Sequence, residues 1–146
     1  MLNVLCVILF MRDRTLIIET LEQLEHTIEN LIDGTSNILN IYELPNSADG
    51  MLRLNGICMC FIVIGEEVKR IDKYTEKKFL LNYPSISWEC IMGMRNRIAH
   101  GYFEIDLDVV FDTLKKDIPP LLKVIKQMKN DFTSFYCEYS RATLSP

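Results

Sequence analysis

From Ile17 the apolar residues Ile17, Leu21, Leu24, Ile28 and Leu31 recur in alternating steps of four and three, and Ile57, Phe61, Ile64, Val68 and Ile71 repeat the pattern. Such a rhythm is the seam of an amphipathic helix that packs on its neighbours at a shallow angle. A third set, Val110, Leu114, Ile118, Leu121, Ile125 and Met128, supplies another seam. No stretch alternates apolar and polar residues with period two, and no repeat or low-complexity tract interrupts the chain. These patterns predict an all-α fold, an antiparallel bundle of four to five helices.

Turn and cap residues divide the chain. Asp33 and Gly34 are expected to stop the first helix, and a loop is expected through "NIYELPNSADG". The second helix is expected from about Met51 to Lys73, followed by a connector from Lys77 to Pro84. Ser87 is a candidate N-cap for a third helix that starts at Trp88 and ends near His100, where Gly101 suits a left-handed C-terminal position. Asp106 or Asp108 opens the last helix, which is expected to reach about Phe132 and to be kinked or divided at Pro119 and Pro120.

At 146 residues the chain is long enough for one hydrophobic core and too short for two. The opening "MLNVLCVILF" is about half the length of a membrane-spanning helix and lacks the basic start and cleavage site of a secretory signal. Residues 1–10 are read as an apolar extension, either ahead of a natural start at Met11 or packed on the domain as an accessory segment, residues 11–132 as the domain and residues 133–146 as a tail. The five cysteines, Cys6, Cys58, Cys60, Cys90 and Cys137, show neither zinc spacing nor the pattern of a secreted disulfide framework, which suits the cytoplasm. Cys58 and Cys60 would point apart on a helix and are expected to pack in the core. The net charge of -4 provides no global field for nucleic acid, so any such binding must use a local patch.

The densest chemistry lies in "MRNRIAHGYFEID", Met94 to Asp106. Arg95 and His100 stand five residues apart, which on a straight helix separates them by about 140° in azimuth and about 7.5 Å along the axis. Either the helix end bends to bring them together, or two copies of the segment meet across a two-fold axis. Arg offers an always-charged fork for a phosphodiester, and His titrates near neutrality. The sequence contains no HExxH, Walker loop, GxSxG or acidic cluster for a metal. Metal-free RNA cleavage fits this inventory, with His100 moving the proton and Arg95 stabilising the charge that grows on phosphorus. Spacing alone is equally met by a surface salt bridge and a helix cap.

The string "RNRIAHGY" resembles the R-x4-H-x-Y signature of the HEPN superfamily, specifically its HepT-like branch. The likeness extends to "MRDRTLIIETLEQLEHTIENLI", to "FIVIGEEVKRI" and to the segment from Tyr83 onward, so it covers Met11 to about Lys129. The resemblance implies a four-to-five-helix bundle that forms a two-fold dimer, with Arg95 and His100 as the catalytic pair and Asn96 as the supporting polar residue. It implies a toxin of a toxin–antitoxin pair, a metal-independent endoribonuclease that needs no cofactor. Its partner would be a minimal nucleotidyltransferase that uses ATP to place AMP on Tyr102. An added phosphodiester and base beside Arg95 would compete with RNA, so the modification is inhibitory.

Other residues carry secondary expectations. Arg97, Lys69, Arg70 and Lys73 are candidate contacts to an RNA backbone, extended by Lys77 and Lys78, although charge on a helix face is also ordinary solvation. Glu66 and Glu67 are candidates to orient the cleft, His26 is read as a surface histidine and Trp88 as a core anchor. A second reading of function is a non-catalytic HEPN module that binds a nucleotidyltransferase or presents its substrate.

Overall fold

A computed structural model describes the backbone of residues 4–99 and 104–143, and the side chains of residues 13–98 and 104–134. The helices are α1 (Val4–Thr35), α2 (Ala48–Tyr74), α3 (Trp88–Met92), α4 (Met94–Ala99), α5 (Leu107–Asp112) and α6 (Ile118–Thr143), and no strand occurs among the described residues. The all-α bundle expected from the periodicity is the observed fold. Helix α1 packs on α6 and α2, and α2 carries α3 and α4 on another side. All sixteen residues of the three apolar seams are buried, so the rhythm of the sequence and the core of the bundle coincide.

Ion pairs fence the α1–α6 contact. Lys126 bonds to Glu29 at 2.6 Å, and Lys129 pairs with Glu25. About one turn beyond Lys129, Phe132 on α6 meets Phe79 edge to face at a centroid distance of 5.4 Å, and Phe79 meets Tyr83 in the same way at 5.5 Å. The buried Tyr83 donates its hydroxyl hydrogen to Asp131 at 2.7 Å, which ties the connector after α2 to α6. Burial and that hydrogen bond push the Tyr83 hydroxyl well above the ordinary tyrosine pKa.

Several boundaries differ from expectation, each for a local reason. The first helix continues past Gly34 to Thr35, because Gly34 keeps a negative φ and the Thr35 hydroxyl bonds back to the Leu31 carbonyl at 2.7 Å. The "NIYELPNSADG" loop contains a 3-10 turn, Ile41–Asn46, which places Ile41 and Leu44 in the core. Asn40 caps this turn, and Ser47 caps α2 by accepting from the Gly50 N–H at 3.0 Å, so α2 starts three residues before Met51. A side chain at Gly50 would stand 2.1 Å from the Leu44 carbonyl oxygen, so only glycine lets the turn lie against the helix.

Ser87 makes no side-chain cap. The third helix is broken at Gly93 into α3 and α4, with the Asn96 and Arg97 N–H groups both turning back to the Gly93 carbonyl. Asp106 is the cap of α5, accepting from the N–H groups of Asp108 at 3.0 Å and Val109 at 3.2 Å. A π turn, Thr113–Asp117, joins α5 to α6 just ahead of Pro119 and Pro120. Proline donates no N–H and its ring crowds the carbonyl four residues back, so the widened turn accommodates the pair. Helix α6 then continues beyond Phe132 to Thr143, and the backbone of residues 4–10 is continuous with α1.

Candidate active site

Arg95 is placed by a chain of close contacts that begins on α2. Gly65 is buried there, and a Cβ at that position would stand 2.8 Å from the Ile91 carbonyl oxygen. The missing side chain lets the backbone of α3 settle against α2. One residue on, Glu66 faces the start of α4, where buried Met94 anchors the helix and Arg95 points outward. The Arg95 guanidinium donates to a Glu66 carboxylate oxygen at 3.1 Å, with both side chains partly open to solvent. An arginine held this way keeps one edge of its fork free for a second anion.

Glu66 also stands at one end of a wide groove of about 790 Å³. Lys69, Arg70, Lys73 and Lys77 line the same groove, so four of the five lysines and arginines expected to form a basic track on and after α2 share a wall with the partner of Arg95. Lys78 lies apart, paired with Glu76 at 3.1 Å. Of the two glutamates considered, only Glu66 reaches Arg95, since Glu67 pairs with Arg70 at 3.0 Å.

Arg97 is separated from this constellation. Two residues along α4 it turns to a second cavity of about 270 Å³, lined also by Ser87, Cys90 and Lys116. Asn96 is exposed beside Arg95. His100 and Tyr102 lie outside the described residues. His26 is on the surface, but it has a neighbour, the Asn30 side-chain amide at 3.1 Å. Trp88 packs against the core and donates its indole N–H to the Tyr83 carbonyl at 2.9 Å. Cys58 is buried and Cys60 half-buried, and burial pushes both thiols up, away from the reactive thiolate. Among the described residues no three His, Cys, Asp or Glu side chains converge on a point where a metal ion could sit.

Two features escaped the reading of the sequence although their spacing was visible in it. Leu52, Gly56, Met59 and Val63, again in steps of four, three and four, form an outer seam on α2; Leu52 and Met59 are 70% and 60% exposed. Helix α2 is therefore apolar on two sides, one buried in the core and one open. Tyr74, the last residue of α2, lines the basic groove. Both were hidden by the stronger inner seam, which accounts for the core without them.

A family model described as ribonuclease HepT-like matches residues 17–128. A candidate RNase of Methanocaldococcus jannaschii is 36% identical over 75 residues, 51% of this chain and 61% of its own length. Another from the same organism is 30% identical over 98 residues, covering 66% of this chain and 90% of that protein. A candidate ribonuclease HepT of Thermococcus cleftensis is 37% identical over 59 residues, 40% of this chain and 50% of its own. The chain thus spans about three fifths of the first of these relatives and half of the last. No solved structure matches the chain.

Proposed function

Because the chain belongs to the ribonuclease HepT-like family, we propose that it is a metal-independent endoribonuclease, the toxin of a toxin–antitoxin pair. The observation that carries this reading is the seat of Arg95, fixed by Glu66 at the end of a groove walled by Lys69, Arg70, Lys73 and Lys77. RNA laid along that groove brings a phosphodiester to the open edge of the guanidinium. A ribose 2′-oxygen attacks the adjacent phosphorus and gives up its proton to a base, while the 5′-oxygen leaves with a proton. The bond made is 2′-O–P, the bond broken is P–O5′, and the product ends in a 2′,3′-cyclic phosphate. In this scheme His100 moves the proton, Arg95 neutralises the extra negative charge on the phosphoryl oxygens, and Asn96 supports them.

The working unit in this account is a homodimer in the cytoplasm. The outer seam of α2 supports it: four positions in heptad steps, apolar and open, are the pattern of a helix that pairs with a second helix. A two-fold axis on that seam gives a composite cleft with two copies of the Arg95 motif. Neutralisation is the work of a minimal nucleotidyltransferase that transfers AMP from ATP to the Tyr102 hydroxyl and releases pyrophosphate.

Expression in a bacterial host tests this reading. The wild type alone is expected to arrest growth, His100→Ala is not, and co-expression of the nucleotidyltransferase is expected to restore growth and to leave AMP on Tyr102 by mass spectrometry. Equal harmlessness of wild type and His100→Ala, both folded and abundant, would instead support a non-catalytic module that binds the nucleotidyltransferase.

A further inference from the structure

The outer face of α2 changes character at Glu66. Glu66, Lys69, Arg70, Lys73, Tyr74 and Lys77 fall at i, i+3, i+4, i+7, i+8 and i+11, the spacing of a single helical ridge, and all six line one groove. Lys77 lies three residues beyond the end of the helix, yet the chain returns it to the ridge. Glu76 and Lys77 adopt left-handed φ values of 52° and 62°, and the Lys77 N–H folds back to the Asp72 carbonyl at 2.8 Å. Two successive non-glycine residues in that region are costly, and such conformations concentrate where a surface has a task.

The charges of this ridge are unevenly matched. Glu66 is satisfied by Arg95, Arg70 by Glu67 and Glu76 by Lys78. Lys69, Lys73 and Lys77 have no ion-pair partner among the described residues, and against them in the groove stands Asp72. In their midst Tyr74 is 42% exposed, and its hydroxyl makes no hydrogen bond among the described residues. An open aromatic ring flanked by unmatched lysines is the composition of a surface that stacks bases while holding the backbone between them.

We propose that this groove is a track for single-stranded RNA, in which one base stacks on Tyr74 while Lys69, Lys73 and Lys77 hold backbone phosphates. The inference rests on the ribonuclease reading and extends it to substrate positioning. Tyr74 lies about 12 Å along the helix axis from Glu66, so the stacked base is a few nucleotides from the phosphodiester at Arg95. The track selects single strands, because a duplex buries the base faces that Tyr74 requires.

The test uses the full chain and a 2′-O-methyl RNA oligomer, which lacks the attacking hydroxyl and cannot be cut, with binding followed by fluorescence anisotropy. Tyr74→Ala is expected to weaken binding about tenfold, whereas Tyr74→Trp and Tyr74→Phe stay within about threefold of the wild type. On an abasic oligomer of the same length, wild type and Tyr74→Ala are expected to bind alike, which a purely structural role for Tyr74 would not produce. Lys73→Gln is expected to weaken both probes and to lower the salt slope by about 0.7. Binding by Tyr74→Ala equal to wild type on the base-bearing oligomer would overturn the proposal in favour of a face for an acidic protein, and no binding by the wild type would overturn it outright. The probe is uncleavable, so a chain that cuts natural RNA but ignores Tyr74 keeps the ribonuclease reading and loses this one.

Discussion

Two residues show how single side chains set the site and its stability. Gly65 matters because of what it lacks: Gly65→Ala forces the Ile91 carbonyl away from α2 and carries the α3–α4 segment with it. We expect a loss of about 1–3 kcal/mol in urea denaturation together with reduced RNA cleavage, whereas Gly34→Ala, where an added Cβ meets nothing within 4 Å, is expected to be neutral or stabilising by up to about 1 kcal/mol. Tyr83 acts through a proton. Its folded pKa lies above the unfolded value, so the folded chain binds that proton more tightly, and the stabilisation is complete below about pH 10 and lost as pH rises beyond it. Tyr83→Phe is expected to cost about 1–2 kcal/mol at neutral pH and to flatten the alkaline fall in stability; an unchanged alkaline slope would refute the assignment. Arg95 stood out in the sequence as a candidate, but its ion-pair partner did not, since Glu66 and Glu67 are equivalent on paper and only the azimuth of α2 against α4 separates them.

Among the elements, α2 has the most to do. Its inner seam was legible because apolar rhythm and burial have one physical cause, and Ile57, Phe61, Ile64, Val68 and Ile71 are all in the core. The breaks were less legible. The halt at Gly93 and the π turn before Pro119 depend on how backbone carbonyls are met across a turn, which residue type only hints at. The Asn40–Gly50 stretch read as a loop because its turn residues outnumber Ile41 and Leu44, yet those two are what the core takes up. The outer seam of α2 leads to a prediction of its own. Met59→Glu places a charge in its middle without touching the core, so it is expected to convert the proposed dimer to a monomer in sedimentation equilibrium, to abolish RNA cleavage and to leave the helical content unchanged. A dimer that survives Met59→Glu would move the interface to another face.

For the molecule as a whole, the bundle presents one helix with two kinds of outer surface. The first half of the outer face of α2 is apolar, from Leu52 to Val63, and the second half is charged, from Glu66 to Lys77, with Arg95 joined at the boundary through Glu66. In the proposed account the first half brings two chains together and the second receives RNA, so the site forms where the two meet. A net charge of -4 is compatible with this because Lys69, Lys73 and Lys77, three of the nine lysines, stand together on one ridge, while acidic charge elsewhere, as at Glu25 and Glu29 on α1, is paired with lysines of α6. The most direct test is incubation of the purified protein with total RNA in EDTA, comparing wild type, Arg95→Ala and His100→Ala and examining the new ends. The account predicts cleavage by the wild type alone, with 2′,3′-cyclic phosphate termini. Intact RNA with all three proteins, each a folded dimer, would contradict it.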